Sequence, residues 1–205
     1  LMLEAAATYK LAEGTTALME AIVADAGADV QLSKPVAAVE HSAEDATVVS
    51  RDGDRMSGRS VVVTAPLNVL NDIEFRPGLS EGKRAAASEG QASRGLKVWA
   101  RLRGEMEPFI ALAPSDQPLV WLQYEYAVDG DSLLIGFGPD ARRLDTNDPA
   151  AVQKAIRAWL PEAEVVESIG HDWVSDEFSR QTWPMLKPNQ LTRYLRELQR
   201  PEDCV

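Results

Sequence analysis

Apolar residues at Leu18, Met19, Ile22, Val23 and Ala26 recur at the three-and-four spacing of one helix face. Thr15 or Thr16 is placed to cap that helix, and Gly27 to end it. The pattern then shortens into β-rich runs over residues 35–39 and 46–50, the second closed by the Asp52-Gly53 turn signal. Residues 60–65 form a continuous apolar run, which predicts a strand buried on both faces and stopped by Pro66. A helix is predicted from Ser80 to Gln91, with Ser80 as its cap. From Gly95 to Leu102 polar and apolar residues alternate, the mark of a half-buried strand. Runs over 120–126 and 132–137 flank Asp129-Gly130 and read as a hairpin. Asp148-Pro149 opens a helix whose stripe is Val152, Ile156, Trp159 and Leu160, and Pro161 closes it. A strand over Val165 to Trp173 and a last helix around Leu191, Tyr194, Leu195 and Leu198 complete the pattern. Helices and hairpins alternate without a βαβ rhythm, so the predicted class is α+β with a mixed sheet flanked by helices. The stretch from Pro66 to Gly78 is the expected crossing between two units.

Composition sharpens this picture in three ways. An apolar content of 45% in 205 residues is enough for a real core. The 32 acidic against 21 basic residues give a net charge of -11, which repels phosphate backbones and argues against nucleic acid. The same field favours solubility and attracts cationic amines. No run approaches the roughly 20 apolar residues of a membrane span, and no signal peptide is visible. The single cysteine, Cys204, excludes an internal disulfide, and a reducing cytoplasm is the expected location.

Candidate chemistry is sparse. The nearest string to a phosphate cradle, Gly136-Phe137-Gly138, runs into Pro139 and opens no helix, so it is not read as one. His41 and His171 stand alone and read as structural or surface residues. Asp145, Asn147 and Asp148 lack the glycine and distal glutamate of a calcium loop, and capping explains Asp148 better. No metal site is expected. Periodicity and composition stop at an α+β domain without naming a reaction.

A series of short motifs carries further. Gly14-Thr15-Thr16-Ala17-Leu18, then Pro35-Val36-Ala37-Ala38-Val39, then Val61-Val62-Val63-Thr64-Ala65-Pro66 follow one another in order. Ile73 to Leu79, Gly95-Leu96-Lys97-Val98, and Asp172-Trp173 with Phe178 and Ser179 come after them. This order resembles the flavin-containing monoamine oxidase family over nearly the whole chain. The resemblance implies an internal piece of an FAD-dependent amine oxidase, without the dinucleotide fingerprint or the last flavin segment. Residues 8–65 would be a returning part of the FAD domain, 66–172 the substrate domain, and 173–205 the start of the return.

Position by position, the resemblance implies that Val36 holds the FAD adenine at the sheet edge, and that Ala65 and Pro66 lie beside the flavin. Lys97 matches the lysine that holds a water near the hydride-accepting atom. Trp173 matches a tryptophan packed on the flavin, and Trp183 one wall of an aromatic cage for the amine. The family commonly has two glycines just before that wall, where this chain has Arg180 and Gln181. The implied reaction is hydride transfer from a small-molecule amine to FAD, with the piece alone inactive and not holding FAD tightly. Its exposed FAD-domain interface is expected to favour self-association. A desaturase or protoporphyrinogen-type oxidase shares the segment order, and a cofactor-free binding domain is the reading from another class.

Overall fold

The computed structural model describes residues 11–205; residues 8–10 of the first expected segment lie outside them. Helix α1 (Gly14–Ala26) ends at Gly27, which takes the left-handed conformation. Neither threonine caps it. The helix starts before both, at Gly14, and no side chain caps its first turn. No residue of α1 is buried, and Leu18, Met19, Ile22 and Val23 of its apolar stripe are exposed.

Strands β1 (Val36–His41), β2 (Ala46–Ser50), β3 (Arg55–Gly58) and β4 (Glu74–Arg76) form a four-stranded sheet in the order β3-β2-β1-β4. β4 runs parallel to β1; the other pairs are antiparallel. β4 lies within the 66–78 stretch, which therefore adds a strand to the first sheet rather than only leaving it.

The predicted strand over 60–65 does not form. Among the described residues it has no strand partner; a single hydrogen bond joins Val61 N–H to the Cys204 carbonyl at 2.9 Å. Val62 is 85% exposed. A strand is stabilised by its ladder, and apolar content alone does not supply one.

The second sheet, in the order β6-β7-β8-β5-β9, is antiparallel throughout. Its strands are β5 (Leu96–Leu102), β6 (Ile110–Leu112), β7 (Trp121–Val128), β8 (Asp131–Gly138) and β9 (Val165–Ile169). Asp129 and Gly130 both take positive φ and close the β7–β8 hairpin, as its two-residue turn requires. The alternation in β5 turns Leu96, Val98, Ala100 and Leu102 inward. They pack with Leu122, Leu134 and the Val152–Ile156 stripe of α3 (Pro149–Ile156) into one core. The Asp148 carboxylate accepts from Ala150 N–H at 2.9 Å and caps α3, as its sequence predicts.

Gly136 and Gly138 sit on β8, where the second is demanded by packing. A Cβ on Gly138 would lie 2.1 Å from the Pro118 carbonyl oxygen.

Helices α2 (Glu81–Glu89) and α4 (Gln190–Leu198) pack on each other. Ser80 bounds α2 without a side-chain cap. Instead its N–H donates to the Glu202 carboxylate at 2.8 and 2.9 Å. His41 is structural: its side chain is 1% exposed, held by Asp203 at 3.2 Å and the Pro77 carbonyl at 2.9 Å.

Candidate active site

The side of the five-stranded sheet away from α3 carries Lys97, Trp99 and Arg101, alternate residues of β5. Lys97 faces Phe137 across the ladder. Its Nζ lies 4.8 Å from the centroid of the Trp99 ring. An ammonium in that position is attracted to the electron-rich face of the indole.

β9 was expected to run to Trp173, and it stops at Ile169. Gly170 N–H donates to the Asn147 side chain at 3.2 Å, and Thr146 crowds against Gly170. The Asp172 carboxylate then accepts from Val174 and Ser175 N–H at 3.0 and 3.1 Å, which curls the chain into a turn. Trp173 thereby leaves strand register. Its ring meets His171 edge-on at 4.3 Å, and His171 Nε2 contacts Asp176 at 2.9 Å. The Ser175 hydroxyl holds the Asp172 carboxyl below the ordinary carboxylate range, and His171 does the same for Asp176.

Trp183 arrives on the segment between β9 and α4. Its ring lies edge-on to Phe137, centroids 5.6 Å apart at 61°. The place is open because residue 95 is glycine. A Cβ there would come 2.7 Å from the indole. Arg180 stands where a glycine is common in the resembled family, and it keeps a left-handed backbone, φ 51°. Its guanidinium pairs with Asp72 at 2.7 Å, and Gln181 is buried.

The result is a cleft of about 340 Å³ lined by Lys97, Trp173, Ser179, Gln181, Thr182, Trp183 and Pro184. Three of the six sequence-predicted site residues converge there. Val36, Ala65 and Pro66 do not line it. Val36 starts β1, half-buried, opposite Ser50. Ala65 lies in a separate apolar cleft of about 500 Å³ with Phe75 and Leu79. Pro66 precedes a 3-10 turn (Leu67–Asp72) and accepts from Val69 N–H at 3.0 Å. Gln181, noted in the sequence only as a departure from the family's glycines, lines the cleft; Thr182 and Pro184 line it without having been singled out. Their only sequence signal was position, next to Trp183.

The donor set fits one edge of a flavin. The lining holds one ammonium, two indoles, uncharged polar groups and no carboxylate. The Lys97 ammonium makes no ion pair among the described residues and rests over the Trp99 ring.

The described residues form an α+β unit of two sheets flanked by helices, and one cleft on it brings a lysine and two tryptophans together. The chain belongs to the flavin containing amine oxidoreductase family, whose model matches residues 1–205. It is 37% identical over 204 residues to a pseudooxynicotine dehydrogenase of a Pseudomonas species, covering 98% of this chain and 41% of that protein. It is 33% identical over 198 residues to a nicotine dehydrogenase of Pseudomonas putida, covering 96% of this chain and 41% of that protein. The structure of wild-type putrescine oxidase bound to putrescine superposes with a TM-score of 0.79 at 20% identity, over 94% of this chain and 46% of that one. At that identity the superposition shows the fold. The chain spans about two-fifths of the length of the curated relatives it matches. Family membership places FAD in the complete protein. No helix among the described residues is long and apolar enough to cross a membrane.

Proposed function

We propose that this chain supplies the substrate face of an FAD-dependent amine oxidase. The observation that carries this reading is the convergence of Lys97, Trp173 and Trp183 on one cleft free of carboxylates. When bound, FAD would supply the hydride acceptor for the carbon bearing a neutral amine; hydride loss leaves an iminium, whose hydrolysis gives a carbonyl compound and the protonated amine or ammonium.

The protein's own part is orientation. Trp183, seated edge-on against Phe137, would wall one side of the amine and exclude water there. Lys97 Nζ would donate to a water in the cleft. Trp173 also lines the cleft, and with Lys97 it would border the flavin. Val36 would meet the adenine end, and Ala65 and Pro66 the strand end beside the ring. Residues 8–65 then serve as the returning part of the FAD domain, 66–172 as the substrate domain, and 173–205 as the return. Because the chain holds no Gly-x-Gly-x-x-Gly cradle, the 205 residues alone bind FAD weakly and do not turn over.

The test is an anaerobic absorbance titration of the full-length flavoprotein with a panel of amines. The relatives' names put nicotine and pseudooxynicotine first, with putrescine as a primary diamine. Bleaching of the flavin by an amine is expected, and the panel then ranks substrates. A flavin that no amine bleaches would move the desaturase-type reading ahead. A full-length protein without flavin, which takes none up, leaves the cofactor-free binding domain.

A further inference from the structure

The segment that carries Trp183 has an ion pair at its entry, Arg180 with Asp72, and is otherwise held in place largely by neutral carboxamides. At its entry, Asn68 donates through Nδ2 to the Arg180 carbonyl at 2.9 Å. The Asn68 N–H reaches the buried Gln181 side chain at 3.3 Å. At its exit, buried Gln91 accepts from Met185 N–H at 3.1 Å, and Ala92 N–H donates to the Met185 carbonyl at 2.8 Å. The two ends are tied together, since Asn68 Oδ1 accepts from Gln91 N–H at 2.8 Å. Gln91 also grips Ser93 twice, accepting from its N–H at 2.7 Å and donating to its carbonyl at 3.1 Å. In the middle, Thr182 Oγ1 meets the Ser93 hydroxyl at 2.6 Å and accepts from Gly95 N–H at 3.0 Å. The indole then rests on Gly95, two residues before Lys97.

We propose that Asn68 and Gln91 are positioning residues that set Trp183 against the start of β5 and so fix its distance from Lys97. A carboxamide both donates and accepts, so one side chain can fasten a carbonyl and an N–H at once. It does so without adding a charge beside a neutral amine. Neither residue lines the cleft, so both act through Trp183. This inference rests on the reading of Trp183 as a wall of the substrate site.

The test uses the full-length flavoprotein with Gln91→Glu and Asn68→Asp, which keep the side-chain shape and remove one donor each. A misplaced wall should lower the rate of flavin reduction at saturating amine by at least about ten-fold, with flavin content unchanged. The two substitutions should add almost nothing to the loss caused by Trp183→Ala, because residues acting through one group are not additive. Losses that multiply, or a rate within about two-fold of the parent, would overturn the proposal. If either variant fails to fold, Thr182→Val removes the central hydroxyl and is read in the same way. If no amine reduces the parent flavin, the functional reading falls while the seating of Trp183 remains testable. The fluorescence component lost on Trp183→Phe should then shift red in Gln91→Glu. An unmoved component would overturn the seating.

Discussion

The two sheets of this chain stand in contrast. The five-stranded sheet owns its core: Leu96, Val98, Ala100, Leu102, Leu122 and Leu134 pack on α3 and are nearly inaccessible. The four-stranded sheet has only a thin one, chiefly Ala38, Val39 and Ala46. Every residue of β3 is exposed, and no residue of α1 is buried, so its apolar stripe is uncovered. The first arrangement can be stable by itself; the second presents apolar surface of the kind that marks an interface. The candidate active site sits on the self-sufficient sheet, so its lysine is held on rigid β-structure. The unfinished sheet carries Val36, and Ala65 follows it.

The largest effect should come from breaking the finished core. Leu122 is fully buried, and Leu122→Ala should cost about 3 kcal/mol in thermal or denaturant unfolding. Leu18→Ala on the bare helix should stay within about 0.5 kcal/mol. Equal costs would mean that α1 is packed and the contrast is false. Next comes the chemistry. Lys97→Met removes a donor from the cleft lining and should slow amine-dependent flavin reduction in the full-length protein about a hundred-fold. The melting temperature should hardly move, since Lys97 is exposed and outside the core. A reduction rate close to the parent's would reduce Lys97 to an ordinary outward-facing strand residue.

What was legible in the sequence follows the same division. The alternation of β5, the Asp129-Gly130 hairpin and the Asp148-Pro149 helix start were all readable, because each rests on local chemistry plus one buried face. Lys97 was singled out only through the family motif; its place in the cleft follows from β5 pairing with Phe137 of β8. Two strands were overread for the same physical reason. Apolar content reports burial, whereas a ladder needs a partner, and 60–65 has none among the described residues. At 170–173 the Asp172 turn overrides the β-rich run. The Asn68–Gln91 frame left no signal, because uncharged amides separated by 23 positions become neighbours only after folding. The Arg180 departure was visible, but not its resolution, a left-handed residue anchored by Asp72.

A smaller effect sharpens the account of the unfinished side. Leu18, Met19, Ile22 and Val23 are all exposed along α1. The 205-residue chain in isolation should show a mass by light scattering that rises with concentration. Charging the stripe, as in Leu18→Glu with Ile22→Glu, should flatten that rise. A monomer at every concentration in the parent chain would show that the stripe is not sticky, and the interface reading of α1 would fail.

The smallest effect is a pH dependence on the exposed edge of the same sheet. Lys34 Nζ pairs with Asp52 at 2.6 Å and also with Asp54, across the β2–β3 turn. The Lys34 hydrogen bond, and after it the Ser50 hydroxyl, bring the Asp52 carboxyl down to about 2 from 3.8. A carboxyl depressed by folding contributes stability above its unfolded value, and that contribution fades as pH falls from 3.8 toward 2. The same contacts raise Lys34, whose contribution is complete below its ordinary range and is lost only in strong alkali. Asp52→Asn should therefore melt slightly below the parent at pH 6, with the gap closing by about pH 2. Both groups are solvent-exposed, so salt should shrink the gap as well. A gap that is the same at both pH values would assign the loss to turn geometry and not to the ionised carboxylate.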